Sequence, residues 1–144
     1  MKTISKKVLI TGSSGFIGFH LSKHLLRNNF FVIGIDNLSN YYDVNLKIKR
    51  QDILKQNDNF VCYNQDIKNK NTFNNIFEKY RPKIIIHLAA QAGVRYSLKN
   101  PKSYIDANLC GSFNLLETLR KYTPEHLLFA SSSSVYGSNT KLPF

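Results

Sequence analysis

KVLITGSSGFIG, residues 7–18, is the stretch that decides the fold. Its first five residues form a short apolar run, three glycines follow at Gly12, Gly15 and Gly18, and Phe16, Ile17, Leu21, Leu25 and Leu26 continue at helical spacing to about Arg27. A buried strand that passes through a tight turn directly into a helix is the opening unit of a β-α-β ladder.

Working outward, four more apolar runs follow: FVIGID (31–36), FVCYN (60–64), KIIIHLAA (83–90) and HLLFASS (126–132). Each is almost wholly apolar rather than alternating, so each is expected to be a strand covered on both faces. Between them, 71–80 carries Phe73, Ile76, Phe77 and Tyr80 at i, i+3, i+4, i+7. The stretch 101–122 places Pro101 in a first helical turn and sets Ile105, Leu109, Phe113, Leu116 and Leu119 along one apolar face. The stretch 38–59 is weaker and reads as a loop, then a helix around 46–54. No repeat, linker or low-complexity tract interrupts the ladder. The expectation is an α/β fold, a Rossmann-type doubly wound parallel sheet of strand order 3-2-1-4-5, in one domain spanning 1–144 and truncated after strand five.

Composition narrows the function classes. A chain of 144 residues with a net charge of +11 invites a nucleic-acid reading. The bases are dispersed, however: Lys2, Lys6 and Lys7 at the start, Lys47, Lys49 and Arg50 in a connection, and Lys68, Lys70, Lys99 and Lys102 among turns. Without zinc spacing, an RNP-like strand or a recognition helix, no nucleic-acid partner is expected. Cys62 and Cys110 lack C-x-x-C spacing and read as two buried thiols of a reducing compartment. The apolar run before Gly12 is too short for a signal peptide or a membrane span, which makes a cytoplasmic protein with no membrane partner the expectation. His20 and His24 stand at metal-pair spacing, but no Glu lies between them and Lys23 shares the face, so no metal is expected. His87 reads as a strand residue with a satisfied ring, and the serine run 131–134 lacks a G-x-S-x-G elbow.

The glycine spacing is also the form of a dinucleotide loop. Gly12 permits the sharp turn, Gly15 lets backbone N–H groups approach a pyrophosphate at the helix N-terminus, and Gly18 lets the helix pack closely. A tight turn without a ligand would share that spacing. Asp36 closes the second strand eighteen residues beyond Gly18, where an acid accepts hydrogen bonds from ribose hydroxyls and repels a 2′-phosphate. Asn37, Leu38 and Ser39 follow it instead of an arginine, which favours NAD over NADP.

With G-x-x-G-x-x-G, I-D-N, H-L-A-A and S-S-V-Y-G in this order, the chain resembles the extended short-chain dehydrogenase/reductases, within the NAD-dependent nucleotide-sugar epimerases and dehydratases. Two longer phrases, 36–50 and 87–117, are similar to the UDP-glucuronate 4-epimerases. The resemblance implies that Gly12, Gly15, Phe16, Ile17 and Gly18 meet the pyrophosphate, and that Asp36, Asn37 and Asn40 surround the adenosine ribose and phosphates. It implies that Asp66 and Ile67 frame the adenine, that Leu88, Ala89 and Ala90 pass under the cofactor, and that Asn108 lies on the nicotinamide side. It gives Ser132 the hydrogen bond to the sugar 4-hydroxyl, with Ser133 in the same turn, while Tyr136 has a loop role. Arg95, in the loop AGVRYS, is a candidate for an anionic sugar group because a guanidinium pairs with a carboxylate in a fork.

Members of this group take a hydride from C4 onto NAD and return it to the other face, and the resemblance implies a base: a tyrosine whose pKa is lowered by a lysine four residues on. None of the eight tyrosines here has a lysine at that distance. In the family the pair lies just beyond K-L-P-F, so this chain is expected to be inactive alone, an N-terminal portion of a UDP-glucuronate 4-epimerase. Its expected partners are a UDP-sugar in the complete enzyme, a second copy, or a complementary C-terminal chain. Alternatives are a non-catalytic NAD- or partner-binding module, or part of a UDP-glucose 4-epimerase, dehydratase or decarboxylase. The dehydratases' acid pair is absent, with Ser133 and Ser134 in its place.

Overall fold

The computed structural model describes residues 6–143. Residues 1–5, including Lys2, and Phe144 belong to the expected 1–144 domain but lie outside the described residues. Five parallel strands make one sheet: β1 (Lys7–Thr11), β2 (Phe31–Ile35), β3 (Phe60–Tyr63), β4 (Ile84–His87) and β5 (His126–Phe129), in spatial order β3-β2-β1-β4-β5. The register runs Thr11 beside Ile35 on one side and beside His87 on the other. The 3-2-1-4-5 order read from the sequence is the order found.

Strand alternation splits the core into two layers. Leu9, Ile33, Ile35 and Ile85 point to one face, against Phe73, Ile76 and Phe77 of α3 (Asn71–Tyr80) and Leu115 and Leu119 of α6 (Ser112–Lys121). Val8, Ile10, Val32 and Ile86 point to the other, against Phe19 and Leu26 of α1 (Phe16–Arg27) and Leu54 of α2 (Val44–Lys55). Consecutive apolar residues on the inner strands thus serve opposite faces, which is why those runs do not alternate in polarity. Because α1 and α2 cover one face and α3 and α6 the other, the crossovers diverge between β1 and β4, and a crevice opens beyond their carboxyl ends.

The structure departs from the sequence reading at several points. β5 is not covered on both faces: Leu128 and Phe129 are 44% and 49% exposed. Residues expected to be a loop contain α4 (Val94–Lys99), so Arg95 is helical. The helix expected over 101–122 is three contiguous segments, α5 (Pro101–Tyr104), a π-helical stretch Ile105–Gly111, and α6. Of its expected apolar stripe Leu119 faces the core, whereas Ile105, Leu109, Phe113 and Leu116 are 45–61% exposed. The buried face is Gly111, Ser112, Asn114, Leu115, Thr118 and Leu119. Cys110 is exposed, not buried, and Cys62 is half-buried, with burial pushing its thiol up to about 11. Among the described residues no helix is long and apolar enough to cross a membrane.

Candidate functional site

The crevice is a cleft of about 390 Å³. Gly12, at φ +72°, sits at its floor, and a Cβ there would stand 3.0 Å from the Ala89 backbone nitrogen. Gly12 is therefore required twice over, by its left-handed backbone and by the close passage of β4's exit. A Cβ on Gly18 would collide with the Gly12 carbonyl oxygen, so the third glycine lets α1 close onto its own loop rather than onto the sheet. Helix α1 begins after Gly15 with no side-chain cap and no acidic residue in its first turn. The N–H groups of Phe16, Ile17 and Gly18 thus start a twelve-residue helix with its positive end unanswered, and Phe16 and Ile17 are more than 60% exposed there.

Asp36 is buried at the end of β2; one carboxylate oxygen accepts from Ser14 N at 3.0 Å and the other from Leu38 N at 2.9 Å. These bonds fix the carboxylate between the glycine loop and the next turn. Asn37 donates to Asp66 at 3.1 Å, and Asp66 also accepts from Lys68 N at 3.0 Å, which joins the loops after β2 and β3.

A buried network holds the floor. Thr11 Oγ1 accepts from Leu88 N at 3.1 Å and Ala89 N at 3.0 Å, so its hydroxyl proton goes to His87 Nδ1 at 2.8 Å. His87 is then protonated on Nε2, which donates to Ser112 at 3.1 Å. Burial lowers the imidazole's pKa to about 4, in keeping with a neutral ring whose Nδ1 is an acceptor.

Two helix asparagines pin the loops on the cleft. Asn108, within the π-helical stretch, accepts from Gln91 N at 2.8 Å and donates to Gln91 O at 3.0 Å. Asn114 donates to Ile67 O at 3.1 Å and Lys68 O at 2.8 Å. Gly111 between them lets the helix lie against Ile67, whose Cδ1 would stand 2.5 Å from an added Cβ.

The cleft lining brings together Gly12, Gly15, Asp36, Asn37 and Asn40 with Asp66, Ile67, Leu88, Ala89 and Ala90. Phe16, Ile17 and Gly18 adjoin it through the helix start, and Asn108 acts through Gln91, which does line it. The sugar-binding candidates stand apart from this lining. Arg95 is exposed on α4, and Ser132 and Ser133 are exposed beyond β5, where Ser132 Oγ accepts from Ser134 N at 3.3 Å. Residues the sequence did not single out also line the cleft, notably Tyr41, Tyr42, Lys47 and Tyr96. The rings of Tyr41 and Tyr96 meet at 4.9 Å, joining the loop after β2 to α4.

A dinucleotide fits this donor set: an uncapped helix start for its phosphates, a buried carboxylate for a ribose, and a floor of small residues. Comparison with known proteins agrees with that chemistry. The profile of the family described as GDP-mannose 4,6 dehydratase matches residues 9–144. A probable UDP-glucuronate 4-epimerase of Rhizobium meliloti is 49% identical over 138 residues, covering 96% of this chain and 40% of that protein. Protein CapI of Staphylococcus aureus is 46% identical, covering 96% and 41%. Among solved structures, the UDP-glucuronic acid 4-epimerase of Bacillus cereus in complex with UDP-glucuronic acid and NAD superposes with a TM-score of 0.86 at 33% identity, covering 94% of this chain and 43% of that one. The UDP-glucose 4-epimerase of Thermotoga maritima, solved with UDP-glucose, gives 0.79 at 36% identity, covering 94% and 41%. The chain spans about 40% of the length of the curated relatives it matches. It belongs to the GDP-mannose 4,6 dehydratase family, among the NAD-dependent epimerases and dehydratases of the extended short-chain dehydrogenase/reductase class.

Proposed function

We propose that these residues form the NAD-binding part of a nucleotide-sugar 4-epimerase that interconverts UDP-glucuronate and UDP-galacturonate. The observation that carries this reading is the uncapped start of α1 above Gly12, beside a cleft lined by the buried Asp36 carboxylate that the glycine loop itself holds through Ser14 N. When bound, the nicotinamide supplies a hydride acceptor for C4 of the sugar. The chain's own residues bind and orient: the α1 N–H groups take the pyrophosphate, Asp36 the ribose hydroxyls, and Leu88, Ala89 and Ala90 form the surface beneath. Asp66 and Ile67 flank the adenine, and Asn108 sets the loop through Gln91. Ser132 donates to or accepts from the sugar 4-hydroxyl, with Ser133 beside it, and Arg95 meets the sugar carboxylate; all three are exposed and free to approach a substrate.

No tyrosine in the sequence is followed by lysine four residues on, so proton removal from the 4-hydroxyl is not assigned to this stretch. An isolated 144-residue chain is therefore a cofactor-binding portion without turnover. The exposed stripe of Ile105, Leu109, Phe113 and Leu116, with the β5 edge, suits a second copy or a complementary chain. We place the protein in the cytoplasm, away from membranes and nucleic acid. Similarity to the T. maritima enzyme favours UDP-glucose as the second substrate reading.

Incubation of the purified chain with NAD and UDP-glucuronate tests this. Saturable NAD binding without formation of UDP-galacturonate is expected. Turnover overturns the assignment of inactivity, and lack of NAD binding by folded chain overturns the cofactor reading.

A further inference from the structure

Helix α2 buries an amide where an apolar side chain would pack at no polar cost. Gln51 is 2% exposed and shares the inward face of the helix with Leu54. A buried amide is tolerated only when its protons find acceptors. Both Nε2 protons of Gln51 do: one goes to Ser14 Oγ and the other to Asn64 Oδ1, each at 2.8 Å. One side chain thus ties the glycine loop to the residue that leaves β3, although it is 37 positions from the first partner and 13 from the second.

Ser14 is fully buried and is held at each of its polar groups. Its N–H donates to Asp36 at 3.0 Å, its carbonyl accepts from Arg50 at 3.1 Å, and its Oγ accepts from Gln51. The first of these contacts comes from the end of β2, and the other two come from α2. The peptide joining Ser14 to Gly15 is fixed at both ends, because Gly15 N donates to Gly12 O at 3.0 Å. Gly15 is also the residue from which α1 starts, and that helix has no side-chain cap. The direction of the Phe16, Ile17 and Gly18 N–H groups therefore depends on how Ser14 is held, and α2 steadies from behind a turn that no capping side chain steadies.

We propose that Gln51 is a positioning residue for the phosphate-binding turn: acting through Ser14 Oγ, it sets the start of α1 relative to Asp36 and so raises affinity for the dinucleotide without touching it. This rests on the dinucleotide reading above. Gln51 does not itself line the cleft, so its effect on binding passes through Ser14. Asn64 holds the amide from the other side and keeps it aimed at the loop.

Titration with NAD of the unsubstituted chain, Gln51→Leu, Ser14→Ala and the double variant, each well below its own thermal melt, tests the proposal. Every species titrated is then folded, so a change in affinity reports on the shape of the site and not on global stability. Gln51→Leu is expected to weaken NAD binding roughly tenfold, the scale of one hydrogen bond, and Ser14→Ala by a similar factor. The double variant is expected to lose roughly tenfold as well, because both substitutions remove the same link, whereas independent effects would multiply to roughly a hundredfold. Unchanged NAD affinity in folded Gln51→Leu would assign the amide to stability alone and overturn the proposal. A roughly hundredfold loss in the double variant would also overturn it, since Gln51 would then act by a route other than Ser14. Absence of NAD binding by the folded, unsubstituted chain overturns the dinucleotide reading and this proposal together. If the leucine variant does not fold, Gln51→Met, unbranched like glutamine, carries the same cycle.

Discussion

Asn108 holds both polar groups of the Gln91 backbone, its Oδ1 accepting the N–H at 2.8 Å and its Nδ2 donating to the carbonyl at 3.0 Å. A side-chain amide used in this way replaces the pairing a strand would have given that loop, and it does so from a π-helical stretch where the backbone is itself irregular. The loop it fixes is the one that carries Leu88, Ala89 and Ala90 past the cleft. Asn108→Leu removes both bonds and is expected to cost about 2 kcal/mol of stability, read by urea unfolding, and to weaken NAD binding. A variant with unchanged stability and affinity would show that the loop holds itself.

Glycine positions in the α1 loop should tolerate no side chain. Gly12→Ala forces a Cβ to within 3.0 Å of Ala89 N at φ +72°, and Gly18→Ala drives one into the Gly12 carbonyl. Each is expected to lower stability by about 1–3 kcal/mol and to abolish detectable NAD binding, whereas Ser22→Ala on the same helix should leave binding intact. Nucleotide titration of the three variants checks this.

His87 gives stability a pH dependence of definite sign. Its folded pKa of about 4 lies below the ordinary 6.5, so between these values the unfolded chain binds the proton and the folded chain does not. The contribution is fully present above 6.5 and is lost as pH falls toward 4, up to roughly 3 kcal/mol at 1.36 kcal/mol per unit. Denaturant unfolding from pH 7.5 to 4.5 should show this fall, and His87→Gln should flatten it. An equally steep fall in the variant would place the effect on other groups.

The exposed stripe of the long helix should be separable from the core. Leu109→Gln with Phe113→Gln is expected to leave monomer stability within about 0.5 kcal/mol and to shift any self-association toward monomer in sedimentation. Leu115→Ala, at a fully buried position, is expected to cost about 2–5 kcal/mol. A large loss in the double variant would mean that the stripe faces the core after all.

That stripe marks where the sequence was hardest to read. Ile105, Leu109, Phe113 and Leu116 have the spacing of a core-facing helix, and spacing alone does not say whether the surface they cover lies within this stretch of chain. The face that does pack joins Leu115 and Leu119 to the small or polar Gly111, Ser112 and Asn114, which approach Ile67 closely and satisfy that loop's carbonyls. Helix α2 was faint for a related reason: it buries Lys47 and Gln51 against Ser39, Ser14 and Asn64, an inversion of the usual pattern. The six-residue α4 spans fewer than two turns, too few to display a repeating apolar pattern. The strands and glycine loop were legible because backbone geometry dictates them locally. The link from Thr11 to His87 spans 76 positions and becomes visible only once β1 and β4 are paired.

The central claim is that this cleft binds NAD through the α1 start and Asp36. Isothermal titration of the folded chain with NAD, beside Asp36→Ala, tests it most directly. The account expects saturable one-to-one binding that weakens about tenfold or more in the variant, in line with the loss of charge-assisted hydrogen bonds to the ribose. A folded chain that shows no saturable heat with NAD, or an Asp36→Ala variant that binds as tightly as the unsubstituted chain, would contradict it.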